Sequence, residues 1–178
     1  MRIISGIKKS IIIKAPKNLP VRPTTDKVKE SLFNIILNKF NFNEISVLDL
    51  FSGTGNISYE FISRGCTDLL SIDNNQKCIR FINKTASELE FNINTKKIDY
   101  KVFLKNNKKK FDIIFADPPY SNREEYYTEL ISILREKLNH SKGSLLILEH
   151  PETINFTKYR TVLEKRKYGG CLFTFIIL

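Results

Sequence analysis

From Ile45 onward, short continuous apolar runs alternate with amphipathic stretches, and this rhythm narrows the fold more than any other feature of the chain. Strands are expected at Ser46–Phe51, Leu69–Asp73, Ile98–Tyr100, Phe111–Ala116 and Ser144–Glu149. Helices are expected at Asn56–Arg64, Gln76–Glu90 and Arg123–Leu138. Strands that are apolar at successive positions bury both faces, as in a parallel sheet with helices on either side. The tail reads as two antiparallel strands, Tyr159–Lys165 and Cys171–Leu178, joined across Tyr168-Gly169-Gly170. Ligands of such α/β sheets bind at the C-terminal strand edges, near the point where strand order reverses. The loops after Phe51, Asp73, Tyr100 and Ala116 therefore belong on one rim.

The first forty residues depart from that rhythm. Residues 2–14 read as two short strands around Gly6, and Pro16, Pro20 and Pro23 make Ala15–Thr25 extended and irregular. A helix then starts at Thr25 or Asp26, with Val28, Leu32, Phe33, Ile35, Ile36 and Phe40 on its apolar face. The expected division is a basic extension, 1–40, packed on a core domain, 41–178. Formal charge is +10, from 29 Lys and Arg against 19 Asp and Glu. Most of the excess lies in this extension, where nine basic side chains face only Asp26 and Glu30. A basic surface draws a polyanion through phosphate contacts and counterion release. The plainer reading is a composition rich in Ile, Asn and Lys throughout, and Lys108-Lys109-Lys110 reads as a solvated loop. No apolar run approaches the ~20 residues of a membrane span, and no signal peptide is evident at the start. Cys66, Cys78 and Cys171 form no C-x-x-C pair, which points to reduced thiols in cytoplasm, with no disulfide and no metal site.

Three rim segments carry chemistry. Asp49-Leu50-Phe51-Ser52-Gly53-Thr54-Gly55 has two glycines for a tight turn and close backbone approach, but Ser58 stands where a dinucleotide fingerprint needs glycine. An acid at the strand end with a two-glycine turn better fits a cofactor with an amino acid moiety. Asp73 ends the second strand and can accept both hydroxyls of a ribose; its other reading is the cap of the next helix. Asp99 reads as an acceptor for an adenine amino group or as an exposed turn carboxylate. The third segment is Asp117-Pro118-Pro119-Tyr120, after the apolar run Phe111–Ala116. Two prolines lack N–H donors and stiffen the loop, so it offers a carboxylate, proline carbonyls and an aromatic face. That set suits a planar base held by its exocyclic amine.

The order Asp49-x-x-x-Gly53-x-Gly55, Asp73, Asp99 and Asp117–Tyr120 resembles class I S-adenosylmethionine-dependent methyltransferases. The tetrapeptide resembles the D/N-P-P-Y/F/W motif of amino-group methyltransferases. Met1–Gly6, Arg22-Pro23-Thr24-Thr25-Asp26-Lys27-Val28-Lys29-Glu30-Ser31-Leu32-Phe33-Asn34, Ser63-Arg64-Gly65 and Tyr168-Gly169 are similar to blocks of the bacterial 16S rRNA guanine-N2 methyltransferases of the RsmD type. The chain departs from them at Ile7-Lys8-Lys9-Ser10, where the family is richer in Gly and Arg, and at Ser58. The resemblance covers nearly the whole chain. It implies a Rossmann-like α/β fold with a mostly parallel seven-stranded sheet, helices on both faces and a short N-terminal β-hairpin and helix extension.

The resemblance also implies roles. S-adenosylmethionine, with S-adenosylhomocysteine as product, would lie against Asp49, Phe51, Gly53, Gly55, Asp73, Asp99 and Asp117. Asp117, Pro118 and Tyr120 would hold the target guanine, Tyr120 by stacking on an unpaired base. Arg2, Lys8, Lys9, Arg22, Thr24, Thr25 and Lys29 would meet 16S rRNA of the small ribosomal subunit. Asp26 has two readings, helix cap or functional contact. Glu149-His150 stands at the fifth strand edge, and His150 reads as a surface-loop histidine outside the site. A cytoplasmic monomer without metal is expected. Two other readings stay open: a DNA adenine or cytosine amino-methyltransferase, and a non-catalytic RNA-binding or ribosome-assembly factor on the same fold.

Overall fold

The computed structural model describes residues 1–16, 19, 25–119, 123–137, 143–156, 161–168 and 170–178, without the side chains of Lys137 and Cys171. Seven strands form one sheet: β1 Ser46–Asp49, β2 Asp68–Asp73, β3 Asn94–Lys97, β4 Ile113–Ala116, β5 Leu145–Pro151, β6 Val162–Tyr168 and β7 Cys171–Ile177. Their order is β3-β2-β1-β4-β5-β7-β6. The first five run parallel, β7 is antiparallel to β5, and β6 is antiparallel to β7. Strand order reverses between β1 and β4, which opens the crevice where such sheets take their ligands. Among the described residues no helix is long and apolar enough to cross a membrane.

Alternation along the strands divides the core in two. Val47, Phe115 and Ile147 face α1 (Asp26–Leu37), α2 (Asn56–Ser63) and α3 (Gln76–Leu89). Leu48, Ile114 and Leu146 face α4 (Tyr100–Asn106) and α5 (Glu124–Lys137). Both faces are covered, which is why β1, β4 and β5 are apolar almost without interruption.

The expected third strand, Ile98–Tyr100, is wrong by about one turn of chain. β3 is Asn94–Lys97, and a helix that the apolar pattern did not announce follows at Tyr100. Asp99 Oδ1 accepts the N–H groups of Lys101 and Val102, so its carboxylate caps α4 and turns the chain out of extended geometry. β3 escaped notice because an edge strand reading Asn-Thr-Lys-Lys carries no apolar run. His150 also departs from expectation: it lies inside β5 at 1% exposure. Its Nε2 lies 2.7 Å from Thr174 Oγ1, its Nδ1 lies 2.9 Å from the Pro151 carbonyl, and Phe156 packs against the ring. Burial holds the imidazole below its usual pKa.

The N-terminal segment is a short antiparallel ladder with a single bridge, Arg2 opposite Ile12, rather than two full strands. It docks on the C-terminal half of α2. Glu60, fully buried there, accepts the backbone N–H groups of Ile4 (2.8 Å) and Ser5 (3.0 Å), Arg64 Nε (2.8 Å) and Lys29 Nζ (3.2 Å). Gly6 lies so close to the chain that a Cβ would sit 1.7 Å from the Ser63 carbonyl oxygen. Lys29 is thereby removed from the expected nucleic-acid contacts. It is 1% exposed, donates to Glu60 and to the Arg2 carbonyl, and burial lowers its pKa.

Candidate active site

The loops after β1, β2 and β4, with the Ile98–Asp99 link into α4, converge on a cavity of about 460 Å³ at the C-terminal strand edges. Its wall includes Asp49, Phe51, Gly53, Asp73, Asp99, Asp117 and Pro118, which a linear reading spreads over seventy residues of chain. Parallel pairing explains the convergence. Asp49 pairs with Ser71 of β2 and Phe115 of β4, so the strand ends leading to Asp73 and Asp117 flank it.

Asp49 is buried, with Ser58 Oγ donating to its Oδ2 at 2.5 Å and Ser71 Oγ 2.7 Å beyond. Ser58, the departure from the glycine fingerprint, thus has a definite part. Its hydroxyl satisfies one oxygen of a buried acid and links it to β2. Burial pushes Asp49 up to about 7, helped by the negative charge of Asp73 and opposed by the Ser58 hydrogen bond.

Gly53 has a left-handed φ of 51°, and its N–H donates to Asp73 Oδ2 at 2.9 Å. Asp73 Oδ1 accepts the N–H of Asn75 at 2.7 Å. Both oxygens are held by backbone, yet each keeps a further lone pair for a ligand hydroxyl. Gly55 does a different job. It is the N-cap of α2 with φ of 77°, and an added Cβ would meet Tyr59 at 2.8 Å and Ile82 at 2.9 Å. Packing against Tyr59 and Ile82 requires glycine there, and Gly55 is not part of the cavity wall.

Phe51 and Tyr100 pack at 5.0 Å with their rings tilted by 53°, and both line the cavity. Asp99 lines it while capping α4. On the other side Pro118 is buried, Asp117 is half-buried and Tyr126 of α5 adds a second aromatic wall. Tyr100, Tyr126, Cys78 and Glu149 were not foreseen. Tyr126 and Cys78 sit on helices whose amphipathic patterns mark them only as inward. Glu149 could have been found from its place at a C-terminal strand edge. Tyr120 lies outside the described residues, as do Arg22 and Thr24.

Of the remaining basic candidates, Arg2 is exposed and pairs with Asp26 at 2.8 Å, which gives Asp26 a partner rather than a capping role. Thr25 is the N-cap residue of α1, without a side-chain cap bond. Lys8 reaches Glu90 at 3.3 Å and Lys9 is exposed beside it. The extension touches the glycine loop directly: Thr54 Oγ1 donates to Met1 Sδ at 3.5 Å. Among the described residues no group of three or more His, Cys, Asp or Glu is placed to hold a metal ion.

Residues 1–177 match the family described as Conserved hypothetical protein 95. The chain is 34% identical over 165 residues to YlbH of Bacillus subtilis, spanning 86% of this chain and 88% of that protein. Ribosomal RNA small subunit methyltransferase D of Buchnera aphidicola subsp. Baizongia pistaciae is 31% identical over 156 residues, spanning 87% and 78%. The solved structure of yhhF from Escherichia coli superposes with a TM-score of 0.84 at 25% identity, over 99% of this chain and 97% of that one. With the sheet order and the rim loops already in place, these likenesses give the chain its family: it belongs to Conserved hypothetical protein 95, the RsmD-type methyltransferases, in the Rossmann-like class I fold.

Proposed function

We propose that the protein methylates the exocyclic N2 amine of a guanine in 16S rRNA of the small ribosomal subunit, with S-adenosylmethionine as donor. The observation that carries the reading is the single cavity shared by the glycine loop, Asp73 and the Asp117-Pro118 loop. Its volume of about 460 Å³ falls within the ordinary range for ligand pockets, ~300–1,000 Å³. Its described wall holds five carboxylates and no Lys, Arg or His, which suits a ligand bearing a sulfonium and an ammonium. Asp73, with both oxygens fixed by backbone, is built to take ribose hydroxyls. Asp49 and the Gly53 turn would hold the amino acid end, and Phe51 with Asp99 the adenine. When bound, S-adenosylmethionine would supply an electrophilic methyl group, its S–CH3 bond breaking as the methyl is transferred and S-adenosylhomocysteine leaving as the neutral thioether.

The chain's own work is then alignment. Asp117 and the Pro118 carbonyl accept the N2 hydrogens and aim the nitrogen, whose lone pair is delocalised into the ring. The same acceptors stabilise the positive charge that grows on nitrogen as the N–C bond forms. The proton released from N2 leaves along the hydrogen bond to Asp117. Holding both reactants in line is the kind of effect that contributes ~7–11 kcal/mol to barrier reduction. The guanine must be unpaired or flipped to enter. The basic extension, with Arg2, Lys8, Lys9, Arg22, Thr24 and Thr25, would take rRNA phosphates, and a named relative is itself a small-subunit rRNA methyltransferase.

Asp117→Ala tests the assignment. Turnover on small subunits from a strain lacking the gene should fall at least about 100-fold, the usual scale for a positioned acid–base or charge-stabilising group, while the affinity for S-adenosylmethionine stays within a few-fold. Turnover like the wild type's would refute the role. Mass-spectrometric mapping of the methylated nucleotide decides guanine N2, and transfer to duplex DNA instead would replace the substrate.

A further inference from the structure

Glu149 is the one acid of the cavity wall that the proposed chemistry leaves without a task. It stands near the end of β5, next to the strand that leads into Asp117. Ala116 pairs with Leu148, so Glu149 lies one residue beyond that pair, alongside Asp117. Alternation places it on the sheet face of Ile147 and Phe115, and it lines the same cavity as Asp117 and Pro118. Neighbouring strands are ~4.8 Å apart, so Glu149 is one strand from Asp117 and two from Asp49. It therefore belongs to the acceptor half of the cavity, away from the glycine loop. At 8% exposure its carboxylate sits where water competes poorly.

Guanine and its analogues differ in what they present beside the amine. The ring nitrogen next to C2 carries a hydrogen in guanine, so N1–H and N2–H lie side by side. Two neighbouring acceptors from adjacent strand ends match that pair of donors. We infer that Glu149 is a specificity-determining residue that accepts N1–H of the target guanine while Asp117 and Pro118 hold its N2 amine. The inference rests on the guanine-N2 reading above. An ionised carboxylate only accepts hydrogen bonds, so it rejects any base whose ring nitrogen there is a lone pair. 2-Aminopurine is such a base: it keeps the exocyclic amine and lacks the N1 hydrogen. The buried carboxylate would then face an acceptor, and sites built to bond a missing hydrogen reject analogues strongly.

The test uses small subunits reconstituted with 16S rRNA carrying guanine or 2-aminopurine at the mapped position, with wild type and Glu149→Gln. The amide of the variant can donate to a bare ring nitrogen as well as accept from N1–H. Wild type should favour guanine over 2-aminopurine by at least about 100-fold in kcat/KM, and Glu149→Gln should shrink that ratio at least about 10-fold, with S-adenosylmethionine affinity within a few-fold of wild type. The missing O6 of 2-aminopurine affects both enzymes alike and cancels in the comparison of ratios. A variant that slows both substrates equally would show a structural role and overturn the inference. Should Glu149→Gln fail to fold, the wild type still decides, because methylation of both bases within about threefold is incompatible with a carboxylate facing N1. A wild type that methylates the guanine at a position other than N2, or not at all, removes the parent reading, whereas an unchanged base ratio with N2 methylation intact removes only this one.

Discussion

Replacing Glu60 by alanine is the perturbation from which the structure predicts most. The carboxylate is fully buried and gathers four donors: the N–H groups of Ile4 and Ser5, Lys29 Nζ and Arg64 Nε. An exposed ion pair would contribute at most ~1 kcal/mol. Here removal leaves the ammonium of Lys29, itself 1% exposed, with the Arg2 carbonyl as its remaining described acceptor. Breaking a buried pair from one side typically costs ~3–5 kcal/mol, so a loss of about 4 kcal/mol is expected. At ~2–4 °C per kcal/mol for a chain of this length, the melting midpoint should fall by about 10 °C. Urea unfolding at constant m-value measures the loss, and amide hydrogen exchange at Ile4 and Ser5 reports whether the N-terminal segment has come away from α2. Adding Lys29→Met should recover much of the loss, because the stranded charge is then gone while Arg64 swings toward water. A single variant within 1 kcal/mol of wild type would refute the reasoning. So would a double variant no more stable than the single one.

Two further perturbations follow from the same geometry. Gly6→Ala forces a Cβ to within 1.7 Å of the Ser63 carbonyl oxygen at a left-handed φ of 87°, so the segment must shift and protection at Ile7, whose N–H donates to that oxygen, should disappear in hydrogen exchange. For Asp49, burial raises the folded pKa to about 7 from 3.8, so the folded state keeps a proton that the unfolded state releases between those values. Its stabilising contribution is complete below pH 4 and is lost as pH rises through 7. Relative to Asp49→Asn, wild type should therefore lose up to about 4 kcal/mol of unfolding free energy between pH 4 and 8, and a flat difference across that window would count against the burial argument.

What could be seen in advance followed the strength of the local signal. β1, β4 and β5 bury both faces, so their apolar runs were unmistakable, and their expected spans overlap the observed ones nearly completely. The rim residues Asp49, Gly53, Asp73 and Asp117 were legible because strand ends in a parallel sheet share one edge. β3 and α4 were misread because their boundary depends on a capping bond made by Asp99, and a cap leaves little trace in hydropathy. Lys29 was misassigned for a related reason. In the chain it is one of nine basic residues of the extension, and only the fold turns it inward onto Glu60. Tyr126 reaches the cavity from a helix whose sequence marks it only as inward, so no local pattern separates it from packing residues, whereas the place of Glu149 at a C-terminal strand edge was a signal left unused.

The distribution of charge links the extension to the cavity. The chain carries +10, and Lys9 and Arg2 display part of it on the docked segment, whereas every charged residue of the described cavity wall is an acid. A phosphate drawn to this surface gains at the rim and loses on entering, because carboxylates would face it at short range. A base edge bearing N–H donors meets the opposite balance, since each buried acceptor there is best satisfied by a donor. Under the proposed function, segregating the two signs would sort a nucleotide by its parts, holding backbone outside and admitting the base. Glu60 bears on that sorting without touching the cavity. It anchors the basic segment to α2, whose N-cap is Gly55 at the end of the glycine loop, so the basic segment and the acidic wall keep a fixed separation. Glu60→Ala should for this reason weaken rRNA binding and flatten its salt dependence more than it weakens binding of a small cationic ligand in the cavity. Equal losses for both, measured at one temperature below either melting transition, would show that the anchor serves stability alone.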